Sequence, residues 1–122
     1  MRNIWYKRKI TRSFIQAHPD YIFLFGDNTI RQGYGGQAKE MRGEPNAIGI
    51  VTKRFPSMEF GSLFTDADFE EAKMYIDRDF ARIPVSCSTI VIPYAGLGTG
   101  RALLDKLAPK IYSYILEKIE QL

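Results

Sequence analysis

The 122 residues carry 45% hydrophobic, 13% aromatic and 25% charged side chains, which excludes a disordered tail, a collagen-like chain or a coiled-coil rod. Seventeen Lys and Arg against fourteen Asp and Glu leave a net charge of +3, too small a bias to name a partner by itself. A single cysteine, Cys87, and a single histidine, His18, exclude an intrachain disulfide and leave a structural metal site without enough ligands, so no metal is expected.

The length suits one domain over residues 1–122, because compact domains run to roughly 100–150 residues. No run approaches the ~20 apolar residues of a spanning helix, and the basic first residues lack the apolar stretch of a secretion signal. A soluble cytoplasmic protein with no membrane partner is expected.

Positions 3–10 alternate, with Ile4, Tyr6 and Ile10 separated by polar residues, which predicts an edge strand with one wet face. Arg2, Lys7, Arg8, Lys9 and Arg12 all precede the first acid, Asp20. Such a stretch either guards an edge strand against aggregation or meets an anionic partner. After a linker around Ala17-His18-Pro19-Asp20, Tyr21 to Phe25 is apolar at every position, as in a strand covered on both faces. Gly26-Asp27-Asn28 is expected to break that strand. A turn-rich stretch then reaches Gly33-Tyr34-Gly35-Gly36, followed by a short helix from Gln37 to Arg42 that Gly43 stops.

Asn46 to Val51 predicts another strand, and Thr52 to Leu63 an ordered loop. From Thr65 the pattern turns helical: Thr65 can cap, acids crowd the first turns, and Phe69, Ala72, Ile76, Phe80 and Ile83 recur at helical spacing. Ser88 to Pro93 predicts a second buried strand, and Tyr94 to Gly100 a second glycine-rich loop. The closing helix is expected to bury Leu104, Leu107, Ile111, Ile115, Ile119 and Leu122, with Pro109 kinking or restarting it. Strands alternating with helices make this an α/β chain, with a mixed, mostly parallel sheet and helices on both faces.

Both doubly buried strands run into a glycine loop and then a helix. In open α/β sheets ligands bind at the carboxyl ends of the strands, so Gly26 to Gly36 and Gly96 to Gly100 are expected on one rim. Glycine lets backbone N–H groups converge on an anion, and a following helix adds its positive end. A diphosphate between the loops is the natural ligand. Neither familiar nucleotide motif fits: no Lys follows Gly98-Thr99-Gly100, and the last spacing of the dinucleotide fingerprint is missing.

Three segments in the same order resemble the macrodomains: Phe23-Leu24-Phe25-Gly26-Asp27-Asn28, Gly35-Gly36-Gln37-Ala38, and Ile92-Pro93-Tyr94-Ala95-Gly96-Leu97-Gly98-Thr99-Gly100. The resemblance spans about residues 20–120, in a chain shorter than a typical macrodomain. It implies a three-layer sandwich that binds ADP-ribose or a related NAD-derived or nucleotide diphosphate, free or on an ADP-ribosylated macromolecule. Carried over by position, it implies Asn28 near the ribose, N–H groups of Gly35 and Gly36 from the first loop, and those of Gly98, Thr99 and Gly100 from the second. Where the family often has an aromatic, Arg101-Ala102 follow, and Arg101 can instead contact phosphate or stand as a solvated helix-start residue.

Further candidates come from the residues themselves. Asp27 can bond an adenine amino group or ribose hydroxyl, or close its own turn. Arg31 and Tyr34 can pair with phosphate and stack on a base, or pack on the surface. Gly33, Gln37, Pro93, Tyr94, Gly96 and Leu97 complete the expected ligand-binding set. Lys53-Arg54-Phe55, after a strand, puts cations beside an aromatic on the same expected rim, but favours a solvated loop; His18 favours a structural role and Cys87 a packed thiol. For catalysis only Asp27 and Asn28 are candidates, since no paired carboxylates or Ser-His set accompany them. Some macrodomains hydrolyse ADP-ribosyl bonds largely by holding a water against the substrate, so the resemblance leaves an ADP-ribosyl hydrolase as the alternative. A second alternative is a nucleic-acid-binding module using the basic N-terminal strand with Trp5 and Tyr6. No cofactor is expected.

Overall fold

The computed structural model describes residues 2–122. In chain order the elements are β1 (Asn3–Lys7), α1 (Arg12–Ala17), β2 (Ile22–Asn28), α2 (Ala38–Met41), β3 (Ala47–Lys53), α3 (Phe69–Ala81), β4 (Thr89–Pro93), α4 (Leu104–Leu107) and α5 (Pro109–Glu120). The four strands form one sheet in the order β1-β4-β2-β3, and every neighbouring pair is parallel. This corrects the expected mixed sheet. Each strand reaches the next through a crossover rather than a hairpin, which leaves the isolated Lys53–Leu63 bridge as the antiparallel pairing among the described residues.

Side-chain alternation along the strands builds two apolar layers. Phe23 and Phe25 of β2 and Val91 of β4 face Ile15, Ala38 and Met41, so α1 and α2 cover one face. Leu24, Ile48, Ile50, Ile90 and Ile92 face Ala72, Ile76, Phe80, Ile111 and Ile115, so α3 and α5 cover the other. β1 lies at an edge as its pattern predicts, and Pro109 restarts the final helix at its first turn. No helix among the described residues is long and apolar enough to cross a membrane.

Three boundaries differ from the sequence expectations. α1 forms where only a linker is predicted; Thr11 caps it by accepting from the Phe14 N–H at 3.2 Å, and Ile15 is fully buried. β1 ends at Lys7, and Ile10 joins the core beyond the strand. β2 continues through Gly26-Asp27-Asn28 because β3 pairs with it as far as Lys53, with a bulge between Asp27 and Asn28.

The outer edge of β3 is closed by an ion pair instead of a fifth strand. Arg31 donates to the Gly49 carbonyl at 3.2 Å and to Asp79 of α3 at 2.5 Å, while Asp79 accepts from the Val51 N–H at 2.9 Å. One carbonyl and one amide of the edge are thereby satisfied. Burial pushes the Asp79 carboxyl up, against the pull of Arg31 and the Val51 N–H. To make these bonds Arg31 adopts a left-handed backbone, φ 56°, which costs a non-glycine residue about 1–2 kcal/mol.

The α3 entry is a capping box: the Thr65 N–H donates to Asp68 at 2.8 Å, and Asp68 also receives Arg54 at 2.7 Å. The Arg54 guanidinium, then the Thr65 N–H, hold the Asp68 carboxyl below the usual carboxylate range. Its folded value lies below its unfolded one, so its contribution is complete above the unfolded value, about 3.9, and disappears as pH falls through the folded value. Asp68→Asn is therefore expected to flatten the acid side of stability against pH, followed by urea unfolding between about pH 2 and 6. Parallel curves for parent and variant would show that the Arg54 pair does not persist in solution.

Candidate functional site

Because the strands are parallel, the ends of β2, β3 and β4 meet on one rim, and both glycine loops rise from it. Between them lies a cleft of about 290 Å³, near the lower end of the roughly 300–1,000 Å³ usual for small-molecule sites. Gly26, Asp27, Asn28, Gly33, Tyr34, Gly35, Gly36 and Gln37 line it from β2 and the first loop. Pro93, Gly96, Gly98, Thr99, Gly100 and Arg101 line it from β4 and the second.

The loops touch at two glycines. A Cβ built on Gly26 would lie 3.8 Å from the Gly98 nitrogen, and one on Gly35 would lie 2.6 Å from Nη1 of Arg101. Among the described residues no acceptor takes the N–H of Gly35, Gly36 or Gln37, nor that of Gly98, Thr99, Gly100 or Arg101. Side chains help to shape the loops: Gln37 Nε2 donates to the Ile10 carbonyl at 2.8 Å, and the Thr99 hydroxyl donates to the Ala95 carbonyl at 2.7 Å. The helices that follow, α2 and α4, have four residues each. That corrects the expected helix-dipole contribution, and any anion here would be held by loop N–H groups and side chains.

Asp27 and Asn28 line the cleft, but their polar atoms are engaged in the fold. Asp27 is 5% exposed and accepts from Arg42 Nη2 at 2.5 Å and from the Asn28 N–H at 2.8 Å, with Arg31 at 3.5 Å. Asn28 donates through Nδ2 to the Gln32 carbonyl at 2.7 Å, and its Oδ1 accepts from the Ile30 N–H at 3.2 Å. The first pins a carboxylate between cations and the second closes an Asx turn, so neither presents a free base to the cleft.

Three expected binding residues are not brought to the cleft. Arg31 is turned to Asp79 and the β3 edge. Leu97 is 2% exposed and belongs to the core under α5. Tyr94 lies outside, with the Arg8 guanidinium 4.0 Å from its ring centre. Their loop positions suggested a ligand role, but chain direction sends these side chains elsewhere.

Arg42, Thr52 and Pro56 line the cleft without a sequence signal for it, and Lys53, placed on this rim but favoured as a solvated residue, lines it too. The Thr52 hydroxyl donates to the Asp27 carbonyl at 3.2 Å, and Pro56 lies against Gly33. Lys53 is not fully solvated: burial first, and then the charge of Arg101, push its ammonium pKa down. Lys53 Nζ donates to the Ser57 carbonyl at 3.3 Å. Neither it nor Arg101 has an acidic partner among the described residues, whereas Arg12, Arg31, Arg42 and Arg54 all do. The sequence signal for Lys53 is its place at the end of a buried strand, on the rim of the glycine loops.

Three cations of the basic N-terminal stretch are engaged within the fold. Arg2 donates to the carbonyls of Pro84 and Cys87, Arg12 pairs with Glu44, and Lys7 stands over the Trp5 and Phe14 rings. His18 stacks between Phe14 and Tyr21, and the Cys87 thiol is buried against the Thr89 carbonyl. No group of three or more metal-ligating side chains occurs among the described residues.

Comparison with known proteins finds no matching curated protein and no matching solved structure. Residues 5–118, which include every strand end and both loops of the cleft, match one family along almost the whole chain. The chain belongs to the Family of unknown function (DUF7831).

Proposed function

We propose that the cleft binds ADP-ribose or a related nucleotide diphosphate, with the diphosphate between the two glycine loops. The observation that carries the reading is that two runs of N–H groups without an acceptor in the fold belong to residues that line one cleft. Backbone N–H groups in such glycine-rich runs are what the phosphates of a diphosphate bridge need in place of their water shell. The resemblance of the two loops and their parent strands to macrodomains narrows the anion to ADP-ribose and its relatives. On this reading the parallel sheet with helices on both faces is a short macrodomain-like three-layer sandwich.

Binding is favoured over hydrolysis because Asp27 and Asn28 are engaged by Arg42 and by the first-loop backbone. The nucleic-acid alternative loses support because Arg2 and Arg12 are engaged within the fold.

Isothermal calorimetry with ADP-ribose tests the proposal, with Gly100→Phe as the control for place. Gly100 lines the cleft and has no atom within 4 Å of a built Cβ, so Phe is expected to fit there without strain and to crowd the cleft, with unchanged Tm without ligand as the check on the fold. The parent is expected to bind and to melt at a higher temperature with ligand, while the variant loses at least about tenfold in affinity, roughly 1.4 kcal/mol. A parent that ignores both ADP-ribose and ADP at millimolar concentration, or a variant that binds like the parent, removes the assignment.

A further inference from the structure

Resting on that reading, we infer that Lys53 and Arg101 form a dianion site beside the glycine loops, so that the preferred ligand is a nucleotide whose phosphate chain ends in a free phosphomonoester. The loop N–H groups suit the singly charged phosphates of a diphosphate bridge, whereas two unpaired cations in one cleft match a group that carries two charges.

The position of Arg101 is built into the first loop. Gly35 does not occupy the left-handed region, so its backbone would accept alanine. What a side chain would displace is the guanidinium of Arg101, whose Nη1 would lie 2.6 Å from the new Cβ. Glycine at this position thus makes room for a cation that spans from the second loop to the first. Lys53 comes from a third element, the end of β3, and is held over the same cleft by the Ser57 carbonyl.

Asp27 is the one carboxylate lining the cleft, and Arg42 at 2.5 Å already answers it. The remaining positive charge is therefore not balanced within the cleft. Two like charges held near each other without an anion oppose folding, and a bound dianion removes that repulsion.

Calorimetry with ADP, which ends in a phosphomonoester, and with ADP-ribose, which does not, tests the inference in the parent, Lys53→Met, Arg101→Met and Gly35→Ala. The parent is expected to bind ADP more tightly. Its affinity for ADP, measured from about pH 5 to 7.5, should rise as the terminal phosphate passes its second ionisation near 6, while that for ADP-ribose stays level. Each methionine variant should lose at least about tenfold for ADP, lose much less for ADP-ribose, and flatten the pH dependence. Gly35→Ala keeps its N–H and meets only the flexible end of Arg101; it is expected to fold like the parent and to reproduce the Arg101→Met pattern. Equal losses for both ligands, or an ADP affinity indifferent to pH, would overturn the dianion site and leave the diphosphate reading standing. Failure of the parent to bind either ligand removes both.

Discussion

Asp27→Asn is expected to lose about 3 kcal/mol of stability and to lower Tm by roughly 10 °C. The carboxylate is 5% exposed and lies between Arg42 at 2.5 Å and Arg31 at 3.5 Å. Removing its charge leaves Arg31 with Asp79, but leaves Arg42 without an acid. A cation whose side chain is 15% exposed cannot recover full hydration, and the loss of its anion is then far more costly than the loss of a surface pair. Gly49 sits directly under the carboxylate, with no room for a Cβ, which shows how closely β3 is fitted to this position. Urea unfolding measures the effect, and Asp27→Leu with Arg42→Met should recover much of it by removing both charges together. A loss below about 1 kcal/mol, the size of an exposed pair, would mean that water reaches Asp27 and that its carboxylate is free to meet a substrate.

Gly98→Ala should act on stability and binding at once. Gly98 has φ 85°, in the region that favours glycine, and a Cβ there would lie 2.6 Å from Cδ1 of the fully buried Leu104. Left-handed strain of about 1–2 kcal/mol and overpacking of about 1–3 kcal/mol together predict a loss of roughly 3 kcal/mol. The second loop closes on α4 through the Leu104 N–H to Gly98 carbonyl bond at 2.8 Å, so a shifted Leu104 also moves the loop residues that line the cleft. ADP-ribose affinity is expected to fall beyond what partial unfolding explains, measured by calorimetry at a temperature where the variant remains folded. Retained binding with reduced stability would separate the loop's packing role from ligand contact.

Gly98 and Gly100 of this loop differ in a way that spacing along the chain does not reveal. Gly98 needs its positive φ and its lack of a Cβ, whereas Gly100 has open space around it. Gly35 in the first loop shows a third case, in which a side chain would meet no backbone but would displace the guanidinium of an arginine from the other loop. Glycine content therefore marks the loops as turns, while the reason for each glycine depends on what the fold places opposite it.

Periodicity predicted β1 at the edge, β2 and β4 inside, β3 between its turns, and the amphipathic helix from Phe69, because alternation and helical spacing depend on burial that neighbouring residues share. It did not predict α1, whose six residues are too few to show a period, or the extension of β2 to Asn28, which depends on pairing with β3. It also assigned Arg31, Tyr94 and Leu97 to the cleft from their places in loops, where the path of the backbone and not residue type decides which way a side chain points.

Residue order alone determined the α/β alternation and the glycine-rich ends of two buried strands, since both follow from local pattern. Only tertiary structure decided that Asp27 is matched by Arg42, that Arg31 closes an open sheet edge, and that Lys53 and Arg101 share a cleft without an acidic partner. Those are pairings between residues 15 to 48 positions apart. Charge interacts through space over a few ångströms, and no spacing along the chain encodes which distant charges the fold will bring together.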